Sequence, residues 1–375
     1  MAHDTLRFGV LGPLQMGADG TDIALGPAKQ RAVLAALLIN RNRTVAIDSL
    51  IDAAWQQNPP PEARASLHAH VSRLRRLVGS AGVDAATVLV SAQPGYRLNV
   101  PDEACDVGRF AVEHKAGIEA AAAARFEQAS RHLSAALAEW RGPVLEDLRD
   151  FEFVEAFAAG LAEDKLVALT ARAEAEIACG RVHSVIAELE ALISEHPYRE
   201  PLWAQLITAY YLSERQYDAL DAYGRLKTTL ADELGIDPGP TLRSLHQRIL
   251  RQEPLDVKQV ARATAKRVVE TLRRPTEVSR ESAVAHLRDA DGGRYPLRGA
   301  TTRIGRLSDN DIVIDDDTVS RYHAVVVDTG NSFVITDLQS ANGVDVADRR
   351  IRTSATLADG DRISICGHEF TFEMR

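Results

Sequence analysis

Residues 62–79 read EARASLHAHVSRLRRLVG, and the N-terminal part of the chain organises itself around them. Leu67, Val71, Leu74 and Val78 recur at i, i+4, i+7 and i+11, so a helix over residues 62–78 turns one apolar stripe towards a core. Arg64, His68, Ser72, Arg73, Arg75 and Arg76 are left for the remaining faces. Between Glu62 and Asp84 stand four arginines and two histidines, and no acid. A solvated helix usually mixes both signs and gains i,i+4 pairs. A helix of one sign suits the major groove of DNA, where arginine bonds guanine O6 and N7 or a phosphate.

Working outward, Phe8–Pro13 predicts a short strand stopped by Gly12-Pro13. Pro27 then leads a helix over Ala28–Asn40 with Val33, Leu34, Leu37 and Leu38 at helical spacing. Asp48 is placed to cap a second helix buried through Leu50, Ile51, Ala54 and Trp55. Downstream, Val88–Val90 and Tyr96–Val100 flank Gln93-Pro94-Gly95 as a hairpin that carries Arg97. Three helices and a hairpin make an α+β winged helix over residues 1–105, with Arg97 on the wing near a backbone phosphate. The stretches RFGVLGPL, PAKQRAVLAALLINRNR, AIDSLIDAAW, HVSRLRRLVG and PGYRL resemble the OmpR-type winged helix of the streptomycete antibiotic regulatory proteins. That resemblance implies a third helix (Arg64–Leu77) in the major groove of promoter DNA and a wing over the adjacent minor groove.

Residues 106–252 are rich in Ala, Leu, Glu and Arg without strand-like alternation, and so predict an all-α domain. Stretches beginning at Ala124, Gly180 and Glu214 look alike, and the last two lie 34 residues apart, the period of tetratricopeptide repeats. An insertion holding Trp140 to Phe157 separates the first from the second. Leu202, Trp203, Leu206, Ala209 and Tyr210 form a packed face, Gly235 stops one helix and Pro240 starts another. The segment resembles the bacterial transcriptional activation domain that follows the winged helix in the same family, which implies contact with RNA polymerase and a possible homodimer. Residues 253–280 read as a partly helical, solvated linker.

From residue 281 to 375 short apolar runs alternate with turns such as Asp291-Gly292-Gly293, Asn342-Gly343 and Asp359-Gly360. Strands are expected at Ala283–Leu287, Asp311–Ile314, Ala324–Val327, Phe333–Ile335, Arg362–Ile365 and Glu369–Phe372, giving an all-β sandwich. Between them lie Gly305-Arg306, Ser320-Arg321-x-His323 and Ser340-x-Asn342-Gly343. In this order the three clusters resemble the forkhead-associated (FHA) domain, which implies recognition of phosphothreonine. A phosphothreonine carries about −1.5 to −2 charges and three acceptor oxygens. Arg306 can meet two of them with paired N–H donors, Ser320 can add a hydroxyl donor, and Arg321 a second cation. Asn342 is expected on the peptide main chain. His323 pins the loop from inside, and Gly305 and Gly343 permit the turns. Many FHA domains carry Ser or Thr where this chain has Ala341, and Thr where it has Val344, so one phosphate contact is expected to be missing.

The chain has 375 residues, 45% hydrophobic and 26% charged, which is globular composition in two or three domains. Its net charge of −9 divides into +1 for residues 1–105, −8 for 106–252, +3 for 253–280 and −5 for 281–375, so any DNA contact must come from a local patch. Three scattered cysteines argue against disulfides or zinc, and no apolar run has the length of a leader or a membrane span. A soluble, cytoplasmic protein without membrane insertion is expected. P-loop, H-E-x-x-H and G-x-S-x-G motifs are lacking, so neither an enzyme nor a cofactor or metal is expected. The three modules together are similar to the mycobacterial branch of the family. This implies control of cell-wall arabinosyltransferase genes and docking on a phosphorylated, PknH-like Ser/Thr kinase. The alternative is a phospho-dependent adaptor that sequesters or inhibits such a kinase, with little promoter activity.

Overall fold

The structure, a computed structural model, describes residues 6–56, 58–272, 285–297, 301–308, 310–328, 333–338, 340–351 and 354–374. The described chain forms two compact units. One takes residues from 1–109, 139–162 and 271–375, the other residues 110–138 and 163–270.

The first unit begins with an antiparallel meander of β1 (Arg7–Gly9), β2 (Gln15–Ala18) and β3 (Thr21–Asp22), where the sequence predicted a single strand. The helices α1 (Ala28–Ile39), α2 (Ile47–Trp55) and α3 (Ala63–Ser80) follow, with β4 (Thr44–Ala46) between the first two. After α4 (Ala85–Val88) comes the wing, β5 (Leu89–Ala92) and β6 (Gly95–Leu98), and β4 completes a sheet in the order β4-β6-β5. Leu67, Val71, Leu74 and Val78 are all buried, as their spacing requires, together with Leu34, Leu37, Leu50, Leu89 and Leu98. Each such side chain contributes about 1.5–3 kcal/mol of transfer free energy. Asp48 is no cap. It lies inside the first turn of α2, whose cap position is Ala46 without a side-chain bond, and there it meets the helix dipole instead.

Helix α5 (Asp106–Ala122) opens at a carboxylate only 2% exposed. Asp106 accepts the N–H groups of Val10 and Leu11 at 2.9 Å and of Val107 at 2.7 Å, and pairs with Arg141 at 3.1 Å. Arg141 and Leu145 in turn donate their backbone N–H groups to Leu11 and Val10. Arg141, Leu145 and Asp147 of the insertion read between the repeats therefore hydrogen-bond with the N-terminal segment.

The second unit is helical. Its helices are the remainder of α5, α6 (Phe126–Ala138), α7 (Glu152–Ala178) from residue 163 on, α8 (Val182–Glu195), α9 (Glu200–Leu212), α10 (Gln216–Leu234), α11 (Pro240–Leu250) and α12 (Val257–Leu272) up to residue 270. The three look-alike stretches are three equal turns. Ala124, Gly180 and Glu214 all have positive φ, and the arginine after each (Arg125, Arg181, Arg215) donates its N–H to the carbonyl five residues back. This is the Schellman closure of α5, α7 and α9. Gly235 caps α10 in the left-handed region and Pro240 begins α11. Trp203, Leu206, Leu226 and Leu189 lie in one buried cluster.

The expected spacer needs correction. Most of its described part is α12, whose Ala261 packs with Phe126 and Ala178, and whose Ala265 packs with Ala120, Ala129 and Ala175. Small side chains leave room for a close helix crossing, and burial fixes the helix. Pro275 and the start of the strand expected at Ala283 lie outside the described residues.

The C-terminal part of the first unit is a sandwich. One sheet orders β10 (Ile312–Val313), β9 (Thr301–Gly305), β11 (Ala324–Asp328), β12 (Phe333–Asp337) and β15 (Ser354–Leu357). The other orders β14 (Arg349–Arg350), β13 (Val344–Val346), β16 (Arg362–Ile365), β17 (His368–Met374), β7 (Ala285–Asp289) and β8 (Arg294–Pro296). Inward residues of both sheets form one core, where Phe333 and Phe372 meet at a ring distance of 5.2 Å. The sequence did not announce β8, β9 and β13–β15.

Candidate functional site

At one end of the sandwich the loop after β9, the loop before β11 and the loop before β13 converge. Gly305 closes β9, and a Cβ there would stand 2.3 Å from the carbonyl oxygen of Arg321. Its role is thus close approach of two loops, not the turn expected of it. The next residue, Arg306, donates its backbone N–H to the Ser320 carbonyl (3.2 Å). The Arg306 side chain is exposed and makes no hydrogen bond or ion pair with any described residue. Gly343 has φ +69°, so it does serve a turn.

The loops are wired together through His323, which is wholly buried. The Ser320 N–H donates to its Nδ1 at 3.1 Å, which puts the ring proton on Nε2, facing the Gly343 carbonyl at 3.1 Å. Burial holds this imidazole below its ordinary pKa, in the neutral form that can accept at one nitrogen and donate at the other. Ser320 Oγ accepts the Ala341 N–H at 3.0 Å, which leaves its hydroxyl proton available to an incoming acceptor. Asn342 is exposed and donates through Nδ2 to the Thr318 carbonyl at 2.8 Å, while its own carbonyl takes Arg350.

Two supports were not visible in the sequence. Asn310, buried, donates to the carbonyls of Leu307 and Arg321 and ties the first loop to the second. Asp316 is held down to about 2 by the Thr318 hydroxyl and then by His368, and so orders the turn that presents Thr318.

Arg321 departs from expectation. Its side chain is 13% exposed and already paired, with Glu152 at 2.9 Å and Asp52 at 3.6 Å. These acids come from the start of α7 and from α2. They line, with Arg306, Ser320 and Asn342, one cleft of about 780 Å³.

On the winged helix, Arg64, His68, Ser72, Arg73 and Arg76 share the exposed face of α3. Arg64 has only a loose surface pair with Asp48 at 3.5 Å. Arg75 has to be reassigned. Its Nε donates to the Leu89 carbonyl and its Nη2 to Ser91 Oγ, both at 2.9 Å, and its guanidinium lies 5.7 Å from the Tyr96 ring. It fastens α3 to the wing. His68 is partly spent the same way, with Nδ1 2.6 Å from the Tyr96 hydroxyl. Arg97 is half-buried on β6, between Thr44 and Val90. Among the described residues no group of three or more His, Cys, Asp or Glu is arranged to hold a metal, and no helix is long and apolar enough to cross a membrane.

Three family models match the chain: transcriptional regulatory protein, C terminal (residues 20–98), bacterial transcriptional activator domain (105–250) and FHA domain (302–366). The chain is 65% identical over 370 residues to the transcriptional regulatory protein EmbR of Mycobacterium tuberculosis, covering 98% of this chain and 95% of that protein. It is 51% identical over 264 residues to the regulator MoaR1 of the same organism, covering 70% and 85%. The solved structure of M. tuberculosis EmbR in complex with a low-affinity phosphopeptide superposes with a TM-score of 0.86 at 64% identity, covering 99% of this chain and 98% of that one. A winged helix, a helical activator domain and an FHA sandwich, in this order and at this identity, place the chain in the family of EmbR-type transcriptional regulators.

Proposed function

We propose that this regulator reads phosphothreonine on a Ser/Thr protein kinase through Arg306, Ser320, Arg321 and Asn342, and binds promoter DNA through the exposed face of α3. The observation that carries this reading is the guanidinium of Arg306, uncommitted among the described residues, in a cleft that also offers the Ser320 hydroxyl and the Asn342 amide. A phosphoryl group supplies two oxygens to one guanidinium fork and a third to a hydroxyl, a match that neutral side chains lack. The solved relative holds a phosphopeptide, which supports the same use here. On α3, Arg64, Arg73 and Arg76 reach phosphates or guanine edges, while Arg75 and His68 hold the helix against the wing. Arabinosyltransferase genes are the proposed targets, with the helical domain contacting RNA polymerase and a homodimer reading paired half-sites.

The test uses full-length protein. Arg306→Ala should lose capture by an autophosphorylated, PknH-like kinase at least thirtyfold while shifting arabinosyltransferase promoter DNA as wild type does. Kinase capture retained by that variant contradicts the reader. Capture by a wild type that shifts no promoter DNA points to the adaptor instead.

A further inference from the structure

Arg321 belongs to the loops that face the phosphate, yet its partners lie outside the FHA fold. Asp52 stands on α2 and Glu152 at the first residue of α7, 269 and 169 positions away in sequence. Both acids line the cleft that holds Arg306, and Glu155 and Asp317 line it too. The cleft thus offers two guanidinium groups against four carboxylates, with one of the two already taken. A phosphoryl group that takes the paired N–H donors of Arg321 competes with these carboxylates for them.

We propose that a phosphopeptide enters by ion exchange. The phosphoryl group replaces Asp52 and Glu152 at Arg321, and a lysine or arginine close to the phosphothreonine takes those two carboxylates over. The ligand class is then a phosphothreonine segment with a neighbouring base, and Asp52 and Glu152 are specificity-determining residues. This deepens, and rests on, the phosphothreonine reading of the cleft. Withdrawing a cation from a carboxylate costs more the less water can reach it. Glu152 is 56% exposed and readily rehydrated, whereas Asp52 is 28% exposed and water restores only part of its loss. A peptide base restores the rest, whereas a peptide acid adds like-charge repulsion, and preference and rejection act together. Because exchange removes a contact to α2, phosphopeptide binding also alters the surroundings of the winged helix. Linkage then requires that the tie to α2 weaken the phosphopeptide in return.

The experiment is fluorescence anisotropy on the full-length chain, with one phosphothreonine scaffold in two series that carry lysine or glutamate at the flanking positions in turn. An unphosphorylated lysine peptide is the control. Wild type should bind the best lysine peptide at least about tenfold more tightly than its glutamate counterpart, and the gap should shrink at high salt. In Asp52→Asn/Glu152→Gln both series should tighten, the glutamate series more, and the gap should fall below about threefold. Equal affinities in wild type, or a gap that persists in the variant, would overturn the proposal while leaving the phosphothreonine reading in place. Failure of every phosphopeptide to bind wild type would overturn both, and only that outcome touches the reading itself.

Discussion

His323 is the residue on which the phosphate-facing loops depend most, since one imidazole holds Ser320 by an accepted bond and Gly343 by a donated one. Its folded pKa is depressed by burial, so the fold favours the neutral ring. The unfolded ring titrates near 6.5, and the stabilisation is present above that pH and lost as pH falls from 6.5 towards the folded value. The imidazole resonance of His323 should therefore show no inflection at 6.5 in an NMR titration, and an ordinary curve there would contradict the assigned bonds. Ala341 is exposed beside Ser320 Oγ, where a hydroxyl would face the same acceptor. Ala341→Ser should tighten phosphopeptide binding roughly threefold by calorimetry, the yield of one exposed hydrogen bond to a charged group. At this scale the sequence marked Arg306 and His323, because both stand in short clusters whose order resembles the FHA pattern. It hid the state of Arg321, whose partners are brought near only by tertiary structure.

The elements divide by what their periodicity could show. Helix α3 was legible because Leu67, Val71, Leu74 and Val78 keep one apolar stripe along it, and the turns at Ala124, Gly180 and Glu214 were legible as a repeated word. Strands of two or three residues, such as β3, β4 and β14, are too short to display alternation. Helix α12 was misread because its buried face is mostly alanine, Ala261 and Ala265 beside Val269, and alanine carries little hydrophobic signal although it packs closely. Arg73→Ala/Arg76→Ala should weaken promoter binding and lower its salt slope by up to about two without changing thermal stability. Arg75→Ala should instead lower the melting temperature, since it strands the Leu89 carbonyl and frees the wing. Glu214 sits at φ +62° with a Cβ that the left-handed region disfavours, and Glu214→Gly should raise stability by up to about 1 kcal/mol in denaturant titration.

For the whole molecule, the sequence specified three kinds of module in order, from composition and turn spacing, but not the bonds that join distant segments. Asp106 is the clearest of these. It ties the N-terminal meander to α5 and to Arg141, and no local pattern announces it. Asp106→Ala leaves backbone donors and a guanidinium without their acceptor, and should cost about 3 kcal/mol in the unfolding of the first unit, read from denaturant curves. The central claim is that Arg306 receives the phosphoryl group of another molecule. Phosphorus NMR of a bound phosphothreonine peptide tests it most directly, because a dianion gripped by guanidinium keeps its charge to lower pH. Free phosphothreonine loses its second proton near pH 6. On the wild-type chain that value should fall by about one unit or more, and on Arg306→Ala most of the fall should disappear. A bound phosphoryl group that titrates as it does free in solution, or identically on both proteins, would contradict the account.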